Sequence, residues 1–181
     1  IPVPVLMVRS TQAAEAKSPR TIVALAQRGK QVLLKQKTET IARLVSQGAR
    51  VVLVDVRGAG ETQPAGEGRG RSGGVTGRSA SEWMLGQTIL GQQVSDVRTV
   101  LRWLRQQGPN GPISLWGEGL VEPNDANSSL AAPLDAERLP SLSEPLGALA
   151  ALIVALYEDD VDTIFARGGL VSYRSILDSA Y

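Results

Sequence analysis

Val51-Val52-Leu53-Val54, running on into Asp55-Val56-Arg57-Gly58-Ala59-Gly60, is four aliphatic residues closed by a charge and a pair of glycines. A short apolar run without polar alternation reads as a strand buried on both faces, the kind found in parallel sheets. Asp55 marks the expected point of emergence at the sheet edge. Upstream the period changes. Over residues 31–47, Leu34, Thr38, Ile41 and Leu44/Val45 share one helical stripe, and Gly48 follows as a C-terminal stop. Before that helix, Thr21 to Ala26 is a second apolar run, β-branched at its start and again read as a buried strand. Val3, Val5, Leu6 and Val8 make a further short strand, beyond a polar connector from Ser10 to Arg20.

Downstream, residues 57–81 are rich in Gly, Arg and Ser and carry no periodicity, so a long loop is expected. An amphipathic helix over about 85–107 follows, with Leu90, Val94, Val97, Leu101 and Leu104 on one face and Gly108-Pro109 as its end. Ile113 to Trp116 is another strand, leading straight into Gly117-Glu118-Gly119. A second long loop spans 121–144. Pro145 to Tyr157 reads as a nearly all-apolar helix that buries Leu146, Leu149, Leu152, Ile153 and Leu156 against a sheet. Val161 to Phe165 is the last clear strand, and Ser172 to Leu177 a short helix. Strands alternating with helices give the class: α/β, a mostly parallel sheet with helices on both faces. Right-handed crossovers then gather the loops that follow the strands along one edge, where ligands bind in such sheets.

The 181 residues are 43% hydrophobic and 20% charged, enough for one domain with a real core. A net charge of +1 gives no general attraction to nucleic acid or anionic lipid, and neither is an expected partner. No apolar run approaches the roughly 18 residues of a membrane span. The chain opens inside the strand-like Ile1-Pro2-Val3-Pro4-Val5 and stops at Tyr181 with no tail. It therefore reads as a segment of a longer protein, with the last strands of the sheet and any targeting signal lying outside it. There is no Cys and no His. Thiol nucleophiles, disulfides, the usual general base of acyl transfer and the commonest metal ligand are all excluded together. No cofactor and no metal is expected.

Three motifs compete with plainer readings. Gly58-x-Gly60 follows a strand as a dinucleotide fingerprint would, but Gln63 holds the third glycine position and no helix is expected to open nearby to hold a pyrophosphate. Arg57, Arg69, Arg71 and Arg78 lie among glycines without a Lys-Ser/Thr ending or interleaved aromatics, so a solvated loop is the better reading. Glu158-Asp159-Asp160-Asp162 lacks the glycine-punctuated spacing of a calcium loop and reads as a helix-to-strand turn. The strongest is Leu115-Trp116-Gly117-Glu118-Gly119-Leu120-Val121. A nucleophile elbow is Gly-x-Ser-x-Gly on a sharp turn after a strand; here Gly117 and Glu118 fit, the serine position holds Gly119 and the final glycine position Val121.

Taken in order, several segments form a more specific pattern. They are Ala26-Gln27-Arg28-Gly29-Lys30, Asp55-Val56-Arg57-Gly58-x-Gly60-Glu61-Thr62, Met84-Leu85-Gly86-Gln87 with Leu90-Gly91-Gln92, Leu115-Trp116-Gly117-Glu118, Pro145-Leu146-Gly147 and Ala166-Arg167-Gly168-Gly169-Leu170-Val171-Ser172-Tyr173. Over nearly the whole chain this resembles the acetyl xylan esterase-like α/β hydrolases, especially the multidomain members of planctomycete-type bacteria. The resemblance implies hydrolysis of carboxylic esters, with an ester or acetylated carbohydrate as substrate. In that chemistry a serine attacks the carbonyl, a histidine moves the proton and a carboxylate orients the histidine.

The family's serine position falls on Gly119, within the elbow of Gly117 and Glu118, so the nucleophile does not carry over. The oxyanion hole uses backbone N–H groups, for which the resemblance offers Leu120 and either Gln27 or Arg28. The family's acid and base follow later strands, beyond the end of this chain. The expectation is a carbohydrate-esterase-type domain that is inactive in this form. The alternative is a hydrolase-fold module that binds a glycan or another protein without catalysis. A sheet that stops early also leaves an unpaired edge, which predicts a homodimer through that edge or marginal stability.

Overall fold

The computed structural model describes residues 2–11, 19–63, 75–107, 111–120 and 146–169. In chain order the elements are β1 (Val5–Val8), β2 (Thr21–Ala26), α1 (Lys30–Gln36), α2 (Thr38–Ser46), β3 (Arg50–Val54), a single 3-10 turn (Gly60–Thr62), α3 (Val75–Met84), α4 (Ile89–Gln106), β4 (Ile113–Glu118), α5 (Leu146–Ala155) and β5 (Val161–Arg167). The strands form one sheet in the order β1-β3-β2-β4-β5. β1 runs antiparallel to β3, and the other pairs are parallel. The fold is α/β, as the alternation of periods implies.

Two cores lie on opposite faces of this sheet. On one, Leu33 and Ile41 of α1 and α2 pack on Ile22, Ala24, Val51, Leu53 and Trp116. On the other, Val97, Leu101 and Leu104 of α4 and Ala151 and Val154 of α5 pack on Val23, Leu25, Val52, Val54 and Leu115. Every residue of β2 and of β4 is buried, as a strand covered on both sides requires.

Several sequence expectations are corrected in detail. The helix read over 31–47 is two helices, broken at Lys37, whose φ of −117° and ψ of 23° leave the α region. The break moves Leu33 into the core and leaves Thr38 exposed, so the stripe through Leu34 and Thr38 is only half right. Gly48 does end α2, at φ 87°. The loop read over 57–81 gives way to α3 from Val75, and the following helix starts at Ile89, where the Thr88 hydroxyl accepts the Gly91 N–H at 3.0 Å. The segments 64–74 and 121–144 and the helix expected at Ser172–Leu177 lie outside the described residues.

The helix read from Pro145 to Tyr157 is present as α5, but its buried face is made of small residues. Gly147, Ala148, Ala150, Ala151 and Val154 are buried, whereas Leu152 and Leu156 are exposed. The cause is distance. A Cβ on Gly117 would stand 2.6 Å from the Ala148 Cα, and one on Gly147 would stand 2.6 Å from the Glu118 carbonyl oxygen. Helix and strand cross backbone to backbone, and leucines do not fit between them.

Among the described residues no helix is long and apolar enough to cross a membrane.

Candidate active site

Because β2, β3, β4 and β5 are parallel, their C-terminal ends collect along one edge of the sheet. The register pairs Ala26 with Glu118 and Glu118 with Arg167, so the exits at Gln27-Arg28, Gly119-Leu120 and Gly168-Gly169 stand side by side. This is the edge at which α/β sheets bind ligands.

Asp55 does not emerge from the sheet as its charge suggested. It is fully buried, and its carboxylate accepts the Lys30 backbone N–H at 2.5 Å, the Lys30 ammonium at 2.8 Å and the Glu61 N–H at 3.0 Å. Lys30 also meets Glu61 at 2.7 Å. Burial alone would lower the pKa of Lys30; its hydrogen bonds and attraction to Asp55 and Glu61 outweigh that and hold it above the ordinary lysine value. The cluster ties the exit of β3 to the first residue of α1, which follows the exit of β2.

Arg57 is likewise committed rather than solvated. Its Nε and backbone N–H both donate to Asp96 at 2.9 Å, its Nη2 donates to the same carboxylate at 2.5 Å, and its Nη1 donates to Gln92. Hydrogen bonding to Asp96 raises its pKa further above an already high value. The Gln93 amide returns a bond to the Arg57 carbonyl at 2.9 Å. The Gly58-x-Gly60 turn is thereby anchored to α4, and the chain there enters a 3-10 turn rather than a helix. Arg78 lies beside Gly58, with Nη1 3.0 Å from where a Cβ would stand; Arg69 and Arg71 lie outside the described residues.

At the end of β4, Glu118 is buried beside Trp116, whose Nε1 donates to it at 3.3 Å, with Lys37 at 3.8 Å and Arg167 at 3.9 Å. Gly119 continues the sheet by donating its N–H to the Arg167 carbonyl at 2.8 Å. Its position has no room for a side chain: a Cβ would sit 3.0 Å from the Gly168 carbonyl carbon and closer still to the oxygen. The next residue, Leu120, has a φ of 55°, and among the described residues other than glycine only it adopts a left-handed conformation. An elbow holds its nucleophile on a strained turn of this kind; here the strain falls one residue past Gly119.

Among the described residues the N–H groups of Gln27, Arg28 and Leu120 have no backbone acceptor. The Gln27 side chain has a separate task, accepting the N–H of Leu146 at 3.0 Å and so capping α5 from a neighbouring strand end. Sequence reasoning missed Lys30, Asp96 and Gly168. Lys30 and Asp96 find their partners 25 and 39 residues away, and no local pattern announces such pairs. The run Gly168-Gly169 was a usable signal of close backbone approach. The acidic run after α5 is a turn whose carboxylates are taken by α4: Glu158 meets Arg98 at 2.5 Å and Arg105 at 2.6 Å, and Asp160 meets Arg105. Among the described residues no group of three His, Cys, Asp or Glu is placed to hold a metal ion.

No protein-family model matches the chain, and no curated protein matches it. Among solved structures it is similar to the α/β hydrolase GrgF from Penicillium sp. sh18, with 15% sequence identity and a TM-score of 0.47, over 92% of this chain and 45% of that one. The chain spans less than half the length of that structure.

Proposed function

We propose that this chain is a hydrolase-fold domain of carbohydrate-esterase type, similar to the acetyl xylan esterases, that does not itself hydrolyse esters. The observation that carries the reading is the strand-end arrangement: Gly117-Glu118-Gly119 at the end of β4, in register with the Gln27-Arg28 turn after β2. Three backbone N–H groups there have no backbone acceptor among the described residues, which is the resource an oxyanion hole uses. The side chains for nucleophilic attack and proton transfer are absent from the sequence as read, with glycine at the nucleophile position and no histidine anywhere. Removing the nucleophile of a triad leaves only binding and oxyanion stabilisation, a small remnant of its rate advantage.

The test is hydrolysis of p-nitrophenyl acetate and of acetylated xylan by the 181-residue protein. The expected result is turnover indistinguishable from the protein-free blank. Turnover well above the blank would sink the inactivity.

A second reading, a module that binds an acetylated glycan or a protein without catalysis, is favoured by the contact at Gly119. A carbonyl oxygen already occupies the space into which a nucleophile would project. On this reading Gly119→Ser gains no activity, because the added Cβ collides with Gly168. Saturable binding of acetylated xylan without turnover, followed by calorimetry, is its expected signature, and a Gly119→Ser protein with esterase activity would refute it.

A further inference from the structure

At the other end of the sheet from the strand exits, a groove of 630 Å³ runs between α2 and the face of β4 and β5. Its walls are apolar and partly aromatic. Trp116 and Phe165 stand edge to face, ring centres 6.4 Å apart at 72°, and Phe165 is 56% exposed. Leu44 of α2 lines the opposite wall. A cavity of this size, with an aromatic wall and polar side chains at its rim, is typical of small-molecule sites.

Three of its polar side chains matter for recognition. Ser114 is only 8% exposed, it lines the groove, and its hydroxyl has no hydrogen-bond partner. A buried hydroxyl without a partner is uncommon and calls for an explanation. Arg20 and Arg43 line the same groove from exposed positions, and among the described residues neither meets a carboxylate. Elsewhere Arg57, Arg98 and Arg105 are each paired with a carboxylate, and Arg50 with the Thr21 hydroxyl. A guanidinium fork matches a carboxylate in shape and charge.

We propose that this groove binds a small ligand with a flat apolar body and a carboxylate. The body lies against Trp116 and Phe165, the carboxylate is held by Arg20 and Arg43, and the Ser114 hydroxyl donates to an acceptor on the ligand. The site is separate from the strand exits and holds whether or not the domain hydrolyses esters.

The probe is 2-naphthoate, with neutral 2-naphthamide as its isostere. Trp83 and Trp103 are exposed, so Trp83→Phe with Trp103→Phe leaves Trp116 as the reporter in an intact fold. Titration of this protein is expected to give saturable quenching by naphthoate, with the amide at least tenfold weaker. Arg20→Ala with Arg43→Ala is expected to weaken naphthoate tenfold or more and to leave the amide unchanged. Ser114→Ala should weaken naphthoate a few-fold without lowering the melting temperature, since no internal bond is lost. Quenching that never saturates, equal affinity for acid and amide, or indifference to the arginine pair would each overturn the proposal.

Discussion

Gly117 and Gly147 face each other where β4 meets α5, and each is held to a hydrogen atom as its side chain. A methyl at Gly117 meets the Ala148 backbone at 2.6 Å, and one at Gly147 meets the carbonyl oxygens of Glu118 at 2.6 Å and Leu25 at 2.8 Å. Overpacking of this kind costs roughly 1–3 kcal/mol or more when backbone must move. Gly117→Ala and Gly147→Ala are therefore expected to lower stability by at least that amount, read as the shift in urea midpoint at constant slope; a change under about 0.5 kcal/mol would contradict the close crossing. At Asp55 the failure is electrical. Asp55→Asn leaves the Lys30 ammonium buried with only the half-exposed Glu61 beside it. Breaking a buried pair from one side costs about 3–5 kcal/mol, and the same denaturation measurement checks it. The sequence announced Asp55 as a strand end, which it is, and as a surface charge, which it is not. Nothing near Asp55 indicates that Lys30 will be waiting for it 25 residues earlier in the chain.

The elements were legible in proportion to how far their period came from packing rather than from composition. In α4, Val94, Val97, Leu101 and Leu104 are buried as their spacing foretells, because one face of a long helix meets a flat sheet. In α5 nearly every residue is apolar, so periodicity carries no direction, and the buried face is the one with least side-chain volume. The strand exits were legible for the same reason as the strands: apolar runs stop where the backbone leaves the sheet. What those exits lacked in chemistry was also plain, since glycine stands at the elbow and histidine is missing. How little room Gly119 has was not, because Gly168 follows a strand about fifty residues on.

α4 also holds the turn before β5 by charge. Burial would raise the Glu158 pKa, but hydrogen bonds from Arg98 and Arg105 outweigh it and hold the carboxyl below its ordinary value. A lowered folded pKa contributes stability that is present above the unfolded value of about 4.3 and is lost as pH falls through the folded value. Glu158→Gln is thus expected to be less stable than the parent at pH 7 and to lose less on acidification. Urea midpoints at pH 7 and pH 3 check this; parallel losses in both proteins would contradict it.

In the sheet as a whole, β1 and β5 are the outer strands among the described residues, and they differ sharply in exposure. From Asp162 to Arg167 every residue of β5 is exposed, Phe165 and Ile164 included, whereas β1 is half-buried along most of its length. An exposed apolar edge with unpaired backbone groups is a template for another strand. We propose that this edge pairs with that of a second copy. Light scattering is expected to show mass rising with concentration toward a dimer, and Ile164→Lys to abolish the rise; a monomer at every concentration would end the idea.

The same strand carries a further implication at its exit, where the Gly168 carbonyl fills the place a side chain on Gly119 would take. A hydroxyl cannot be placed at this point by substituting residue 119 alone. Any residue other than glycine at 119 is rejected until the exit of β5 has shifted, and a shifted exit gives up the bond from the Gly119 N–H to Arg167. The contact thus couples residue 119 to the exit of β5, and a hydroxyl at that turn requires both to change together.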